Sequence, residues 1–149
     1  MIVRRAGPAD RPIWAAMLGR LHGPDTTSGQ FQAEMGEWEK LDEPLVCWLA
    51  FDAEGTAVGM VDARVRNYAE GAPNGPAAYI EDLWVEEDWR RRGVAAALVE
   101  AVEDWAVARN LPWLGSDAEL ANADSHVLHR ALGFEEVERL VVFGKPLGS

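Results

Sequence analysis

The chain has 149 residues, 14 Lys and Arg against 25 Asp and Glu, a formal charge of −11 and a single Cys. That length suits one domain over residues 1–149 and is too short for two, and one thiol allows no internal disulfide. Such acidity repels nucleic acid and anionic lipid, which argues against both as partners, and attracts polycations, although on charge alone the favoured reading is a surface that keeps the protein soluble.

The N-terminus carries Arg4 and Arg5 and lacks the apolar run of a signal peptide or membrane helix, so a cytoplasmic location is expected. Ile2 to Arg5 reads as a short edge strand. Asp10 suits an N-cap, with Pro12 in the first turn of a helix presenting Ile13, Trp14, Met17, Leu18 and Leu21, and Gly23-Pro24 ends it. A polar loop, Asp25 to Gly29, leads to a second helical pattern around Phe31, Met35 and Trp38, which stops before Pro44. Leu45 to Phe51 and Ala57 to Val65 read as two strands joined by an Asp52-Ala53-Glu54-Gly55 hairpin turn, with Gly59 marking a bulge or a close approach. Cys47 lies inside the first of them, which favours a buried core thiol over a nucleophile.

Asn67 to Pro76 is rich in Gly and Pro and reads as loop. After it comes the stretch around which the chain is organised. Ile80, Leu83, Trp84 and Val85 suit a largely buried strand, whereas Val94, Leu98, Ala101, Val102 and Trp105 share one helical face. Between them stands Arg90-Arg91-Arg92-Gly93-Val94-Ala95-Ala96. Unpaired N–H groups and positive dipole charge at a helix mouth, a Gly without a side chain and neighbouring guanidinium groups meet the requirements of a nucleotide-like anion. Trp113 to Asp117 then forms a short strand, Asn122 to Leu132 a helix and Phe134 to Phe143 a final strand. Seven Trp are spread at strand and helix periodicity, which points to core or interface; Trp89, bracketed by charges, is expected to be partly exposed.

The Arg90 to Ala95 run resembles the acetyl-CoA signature of the GCN5-related N-acetyltransferases. Asn122 followed by Leu128, His129, Gly133 and Phe134 resembles the element that closes the other side of their cofactor groove. The order of elements, βααβββαβαβ, is that of the acetyltransferase fold: an α/β chain whose mixed sheet has helices on both faces. The resemblance implies an acetyl-CoA-dependent enzyme, with no metal, whose cofactor is held by Leu83, Trp84 and Val85, by Arg90 to Ala96, and by Asn122 and His129. Leu83 is then the backbone donor to the thioester oxygen, and His129, where the superfamily often has a Tyr, is the candidate acid for the departing thiolate. Glu81 and Asp82 are adjacent, so on a regular strand only one can face the acceptor; Glu81 is favoured as the group that holds and helps deprotonate the amine. His126 and His129 stand three apart without a completing ligand set, which argues against zinc.

Longer strings are similar to the aminoglycoside 6′-N-acetyltransferases: Asp62 to Tyr68, Tyr79 to Glu81, Ser116 to Asn122, Ser125 to Phe134 and Glu136 to Arg139. In that family the positions of Tyr68, Glu81, Asp117 and Glu138 line the acceptor pocket, and members tend to be homodimers. The resemblance thus implies a polycationic aminoglycoside acceptor, in agreement with the net charge, and a home for surplus Trp at a dimer interface. Two departures stand out. His22 replaces a common Trp at the end of the first helix, which removes a stacking surface in the acceptor site, and Asp82 replaces a common Gly after the strand Glu. The alternatives are acetylation of another polyamine or a peptide amine, and a non-catalytic acetyl-CoA sensor.

Overall fold

The computed structural model describes residues 1–23, 33, 35–37, 40 and 44–148. Strand β1 (Ile2–Arg5) pairs with β2 (Val46–Phe51), β2 with β3 (Ala57–Arg66) and β3 with β4 (Ala77–Val85), all antiparallel, while β5 (Leu114–Gly115) runs parallel to the start of β4. Sheet order therefore follows chain order. The β2–β3 hairpin closes as its composition predicts: the Asp52 carboxylate accepts from the N–H groups of Glu54 and Thr56, both at 2.9 Å, and Gly55 takes φ 84°.

Alternation along the strands divides the side chains between two helices. Cys47, Leu49 and Met60 point to one face and bury Trp14, Met17 and Leu18 of α1 (Arg11–His22). Val61 and Trp48 point to the other, under α2 (Val94–Ala108), where Trp48 meets Trp105 edge to face at 5.7 Å between centroids. Gly59 is the close approach its sequence position suggested, since a Cβ there would meet Val94 Cγ1 at 2.9 Å and Leu98 Cδ1 at 3.2 Å. Each fully buried aliphatic in these layers contributes about 1.5–3 kcal/mol of transfer free energy. Cys47 is buried, and burial pushes its thiol well above the usual range, so it is a core residue.

Asp10 behaves differently from a capping residue. Helix α1 starts immediately after it, yet its carboxylate turns back to Arg4, with Nη1 and Nη2 at 2.8 and 3.0 Å, and to the Gly7 N–H at 2.7 Å. Pairing with Arg4 holds the carboxyl below its ordinary value. A bidentate charge-assisted pair outcompetes one capping bond. The second helical pattern lies mostly outside the described residues; within it, residues 35–37 are helical and Met35 is buried in the α1 cluster.

The described chain divides into two compact units, Met1–Asp117 and Ala118–Ser149. The first holds the whole sheet with α1 and α2. The second holds α3 (Ala123–Ala131), capped where Asn122 Oδ1 accepts from Ser125 N–H at 3.1 Å and ended by Gly133 at φ 93°. The final strand expected over 134–143 is not formed, and residues 134–148 take neither helix nor strand. Val141, Val142 and Phe143 have the composition of a strand, but a strand exists only through a ladder with a neighbour, and these residues are 75, 83 and 90 % exposed.

Candidate active site

Strand β4 is interrupted where the chemistry is expected. Ala63 pairs with Ile80 but Asp62 pairs with Asp82, so Glu81 is the additional residue of a β-bulge. The bulge overturns the expectation that Glu81 and Asp82 face opposite ways. Asp62, Arg64 and Arg66 alternate onto the α1 face of β3, where the Trp14 indole donates to Asp62 Oδ2 at 2.9 Å. Glu81 meets Arg66 there, with Nε and Nη2 at 2.8 and 2.7 Å, and Arg64 Nε at 3.2 Å, while Asp82 lies opposite Asp62 and bonds His22 Nε2. Both carboxylates thus belong to one polar face.

That face extends along β4. Arg66 stacks on the Tyr79 ring at 3.6 Å, and the Tyr79 hydroxyl donates to Asp117 Oδ2 at 2.7 Å. Burial, reinforced by the Asp117 carboxylate, raises the phenol well above its ordinary value. Gly115 makes room for this ring, since a Cβ there would stand 2.8 Å from Tyr79 Cδ2. Glu81 and Asp117 are therefore joined through Arg66 and Tyr79, whereas Tyr68 stands 65 % exposed in the 67–76 loop. A cationic acceptor would compete with Arg64 and Arg66 for Glu81.

The helix expected after Arg90 to Gly93 starts at Val94. After Tyr79, no strand among the described residues pairs with the β5 side of β4, which leaves the edge carrying Leu83, Trp84 and Val85 open. These three are partly buried. Beyond a short turn at Glu87–Trp89, Arg91 and Gly93 both take left-handed backbone, φ 63° and 82°. Left-handed residues in successive turns shape the backbone concavities that receive anions, and the strain at Arg91 marks the place. No side chain caps α2, and the first ladder bond runs from Ala97 N–H to the Gly93 carbonyl at 3.1 Å, so the N–H groups of Val94, Ala95 and Ala96 precede the helical ladder. A Cβ on Gly93 would meet nothing within 4 Å. The mouth fits a pyrophosphate. Arg90 lies over the Trp84 ring at 4.9 Å and donates to the Val85 carbonyl at 3.0 Å, and Arg92 lies over Trp89, also at 4.9 Å. Trp89 is accordingly part-exposed, as expected.

In the second unit, His129 Nδ1 bonds the Ser125 carbonyl at 2.7 Å, and its ring meets Phe134 edge to face at 5.3 Å. A carbonyl only accepts, so Nδ1 carries a proton and acid catalysis would proceed from Nε2. His126 Nε2 bonds the Glu119 carbonyl at 2.9 Å. Glu138 is exposed, and Asn122 Oδ1 is engaged in its cap.

The model of the acetyltransferase (GNAT) family matches residues 15–134. This chain belongs to that family. The acetyltransferase is 42 % identical over 144 residues to an aminoglycoside N(6′)-acetyltransferase type 1 of Acinetobacter genomosp. 13, with 95 % of this chain and 97 % of the relative covered. Among solved structures it is similar to the aminoglycoside antibiotic 6′-N-acetyltransferase AAC(6′)-Ih of Acinetobacter baumannii, at TM-score 0.88 and 32 % identity over 99 % of each chain. It also matches AAC(6′)-Iy in complex with the bisubstrate analog CoA-S-monomethyl-acetylneamine, at TM-score 0.85 and 30 % identity over 97 % of each chain.

Sequence reasoning singled out few of the residues that organise the acetyltransferase's polar face. Asp62 and Tyr79 entered only as parts of longer strings, and neither Arg64 nor Arg66 was given a role. A signal for the arginines did exist. Alternate basic residues at the end of a strand facing a strand rich in carboxylates invite cross-strand pairs, but the bulge that aligns them is a matter of register.

Proposed function

We propose that this acetyltransferase transfers acetyl from acetyl-CoA to the 6′-amine of aminoglycosides and so inactivates them as antibiotics. One observation carries the reading: enzymes named for that reaction align with this chain almost end to end, and AAC(6′)-Iy does so bound to an analogue that joins CoA to an acetylated aminoglycoside. The acidic face around Glu81, Asp82 and Asp117 supports it, because each ammonium group entering a cleft loses hydration and needs a carboxylate in return. The family model spans most of both units, which supports one catalytic domain over 1–149.

In this reading Arg90, Arg91, Arg92 and Gly93, with the N–H groups of Val94, Ala95 and Ala96, hold the pyrophosphate. The open edge at Leu83, Trp84 and Val85 receives the acyl arm, with Asn122 and His129 also on the cofactor. Acetyl-CoA supplies the activated thioester. The Leu83 N–H is placed to stabilise developing negative charge, and His129 is the acid for the leaving thiolate. His22, Tyr68, Glu81, Asp117 and Glu138 receive the acceptor, Glu81 nearest the reacting amine. The enzyme works in the cytoplasm, where acetyl-CoA is made, and as a homodimer. The dimer is supported by the apolar run from Leu140 to Phe143, whose residues are 58 to 90 % exposed.

The test is a thiol-release assay over a panel of amines. Aminoglycosides with a free 6′-amine, such as tobramycin, should turn over, and analogues with a 6′-hydroxyl should not. Equal turnover of both would place the acetyl on another nitrogen, and brisk turnover of simple polyamines alone would replace the acceptor class. In the same assay, His129→Phe should lower kcat by about 10²-fold with little change in acetyl-CoA affinity.

A further inference from the structure

The two positions at which this chain departs from the resemblance are in contact. His22, in the last turn of α1, bonds through Nε2 to Asp82 Oδ1, on β4 beside the bulge. Behind Asp82 stands Asp62, its cross-strand neighbour, fully buried, with Oδ2 on the Trp14 indole and Oδ1 without a donor among the described residues. A buried acceptor with no donor, beside a second carboxylate, is costly as an anion. With a proton on Oδ1, Asp62 becomes the donor that Asp82 lacks on that side, and both groups are satisfied. Burial and the Asp82 charge do hold Asp62 well above the usual carboxylate range.

We propose that His22, Asp82 and Asp62 form a proton-accepting chain for the acceptor amine: His22 takes the proton from the ammonium, Asp82 holds the imidazole, and neutral Asp62 holds Asp82. The proposal rests on the acetyl-transfer reading and adds to it a base other than Glu81. Glu81 is saturated by Arg64 and Arg66, so it is better built to bind charge than to receive a proton. His22 is not. A carboxylate can only accept, so the neutral ring carries its hydrogen on Nε2 and its basic lone pair on Nδ1. When Nδ1 takes the proton of R–NH3⁺, the amine nitrogen regains the lone pair it needs for attack. The resulting imidazolium is balanced by Asp82 and sits at a helix C-terminus, where positive charge is favoured, until water removes the proton. The side chain of His22 is half exposed and that of Asp82 only 16 % exposed, which suits a base at the mouth and an orienting group beneath it. Asp62 and Asp82 are positioning residues in this scheme.

The experiment is the pH dependence of kcat/KM for tobramycin with acetyl-CoA saturating, in His22→Gln, Asp82→Asn, the double variant, Asp62→Asn and Asp62→Leu. Gln keeps a hydrogen bond to Asp82 but cannot titrate in this range. We expect His22→Gln to lose roughly 10²-fold in kcat/KM and to abolish the acidic limb of the profile, Asp82→Asn to lose activity because the imidazole is no longer held, and the double variant to be no worse than the worse single. Asp62→Asn, which can donate to Asp82 through Nδ2, should stay near wild type, and Asp62→Leu should not. Other titratable and charged groups on this face are Glu81 with Arg64 and Arg66, Tyr79 with Asp117, Cys47 on β2, and Arg20 of α1 paired with Glu86. None of them changes in the His22 variant. An unaltered acidic limb and wild-type kcat in His22→Gln would overturn the proposal, as would additive losses at His22 and Asp82. His22→Gln and Asp62→Asn decide the matter even if Asp62→Leu fails to fold. Should the wild-type enzyme acetylate a different amine and not tobramycin, the acceptor assignment fails alone, and the same variants are read on that amine.

Discussion

Asp62 shows how one side chain can oppose the stability of the sheet that holds it. Its ordinary carboxyl titrates near pH 4 in an unfolded chain, whereas burial and Asp82 raise it well above that in the fold. Below about pH 4 both states are protonated and the group is neutral in the balance. As pH rises, the unfolded state releases a proton that the folded state retains, so the folded state binds more protons and stability falls toward the folded pKa. Asp62→Asn removes this dependence while keeping the shape and the Trp14 bond. Its melting temperature should match the wild type near pH 4 and exceed it by a margin that grows with pH, as followed by circular dichroism. A constant difference at all pH values would mean that Asp62 is not held protonated. Asp10 follows the reverse logic, because Arg4 lowers its pKa and its contribution is lost on acidification.

At the scale of elements, the α2 mouth was legible and the β4 bulge was not. Arg90 to Ala96 are contiguous, and a helix start with an unobstructed Gly follows from local residue types. The structure adds left-handed backbone at Arg91 and Gly93 and an uncapped first turn. Gly93→Asp would put a carboxylate where the pyrophosphate is expected and a side chain at a positive φ, for about 1 kcal/mol of strain. The variant should fold, with its melting temperature lowered by a few degrees, and should bind acetyl-CoA too weakly to detect by calorimetry; unchanged affinity would place the cofactor elsewhere. The bulge belongs to another kind of information. Nothing in Ile80-Glu81-Asp82 announces that Ile80 will pair with Ala63 and Asp82 with Asp62; that register is chosen by two sheet faces filling with α1 and α2 together.

For the whole molecule, the acidic surface and the exposed C-terminal run bear on assembly. The described Trp residues are mostly in the core or stacked on arginine, as Trp14, Trp48, Trp84 and Trp89 are, so the apolar surface open to a partner is instead Leu140 to Phe143. Val142→Glu with Phe143→Glu should convert a dimer to a monomer in sedimentation equilibrium while leaving the far-ultraviolet spectrum of the sheet and helices unchanged; a wild-type monomer would remove the dimer from the reading. By itself the sequence determined the properties that depend on neighbours along the chain: strand and helix periodicity, the Asp52 turn, the helix mouth at Gly93 and the net acidity. Tertiary structure alone decided which side chains meet across the sheet. Glu81 and Asp82 share a face because a bulge intervenes, and His22 reaches Asp82 because α1 packs over β4. Phe134 to Phe143 remains unpaired because a strand is a relation between two segments, and pairing energies depend on separations in space that no local residue pattern encodes.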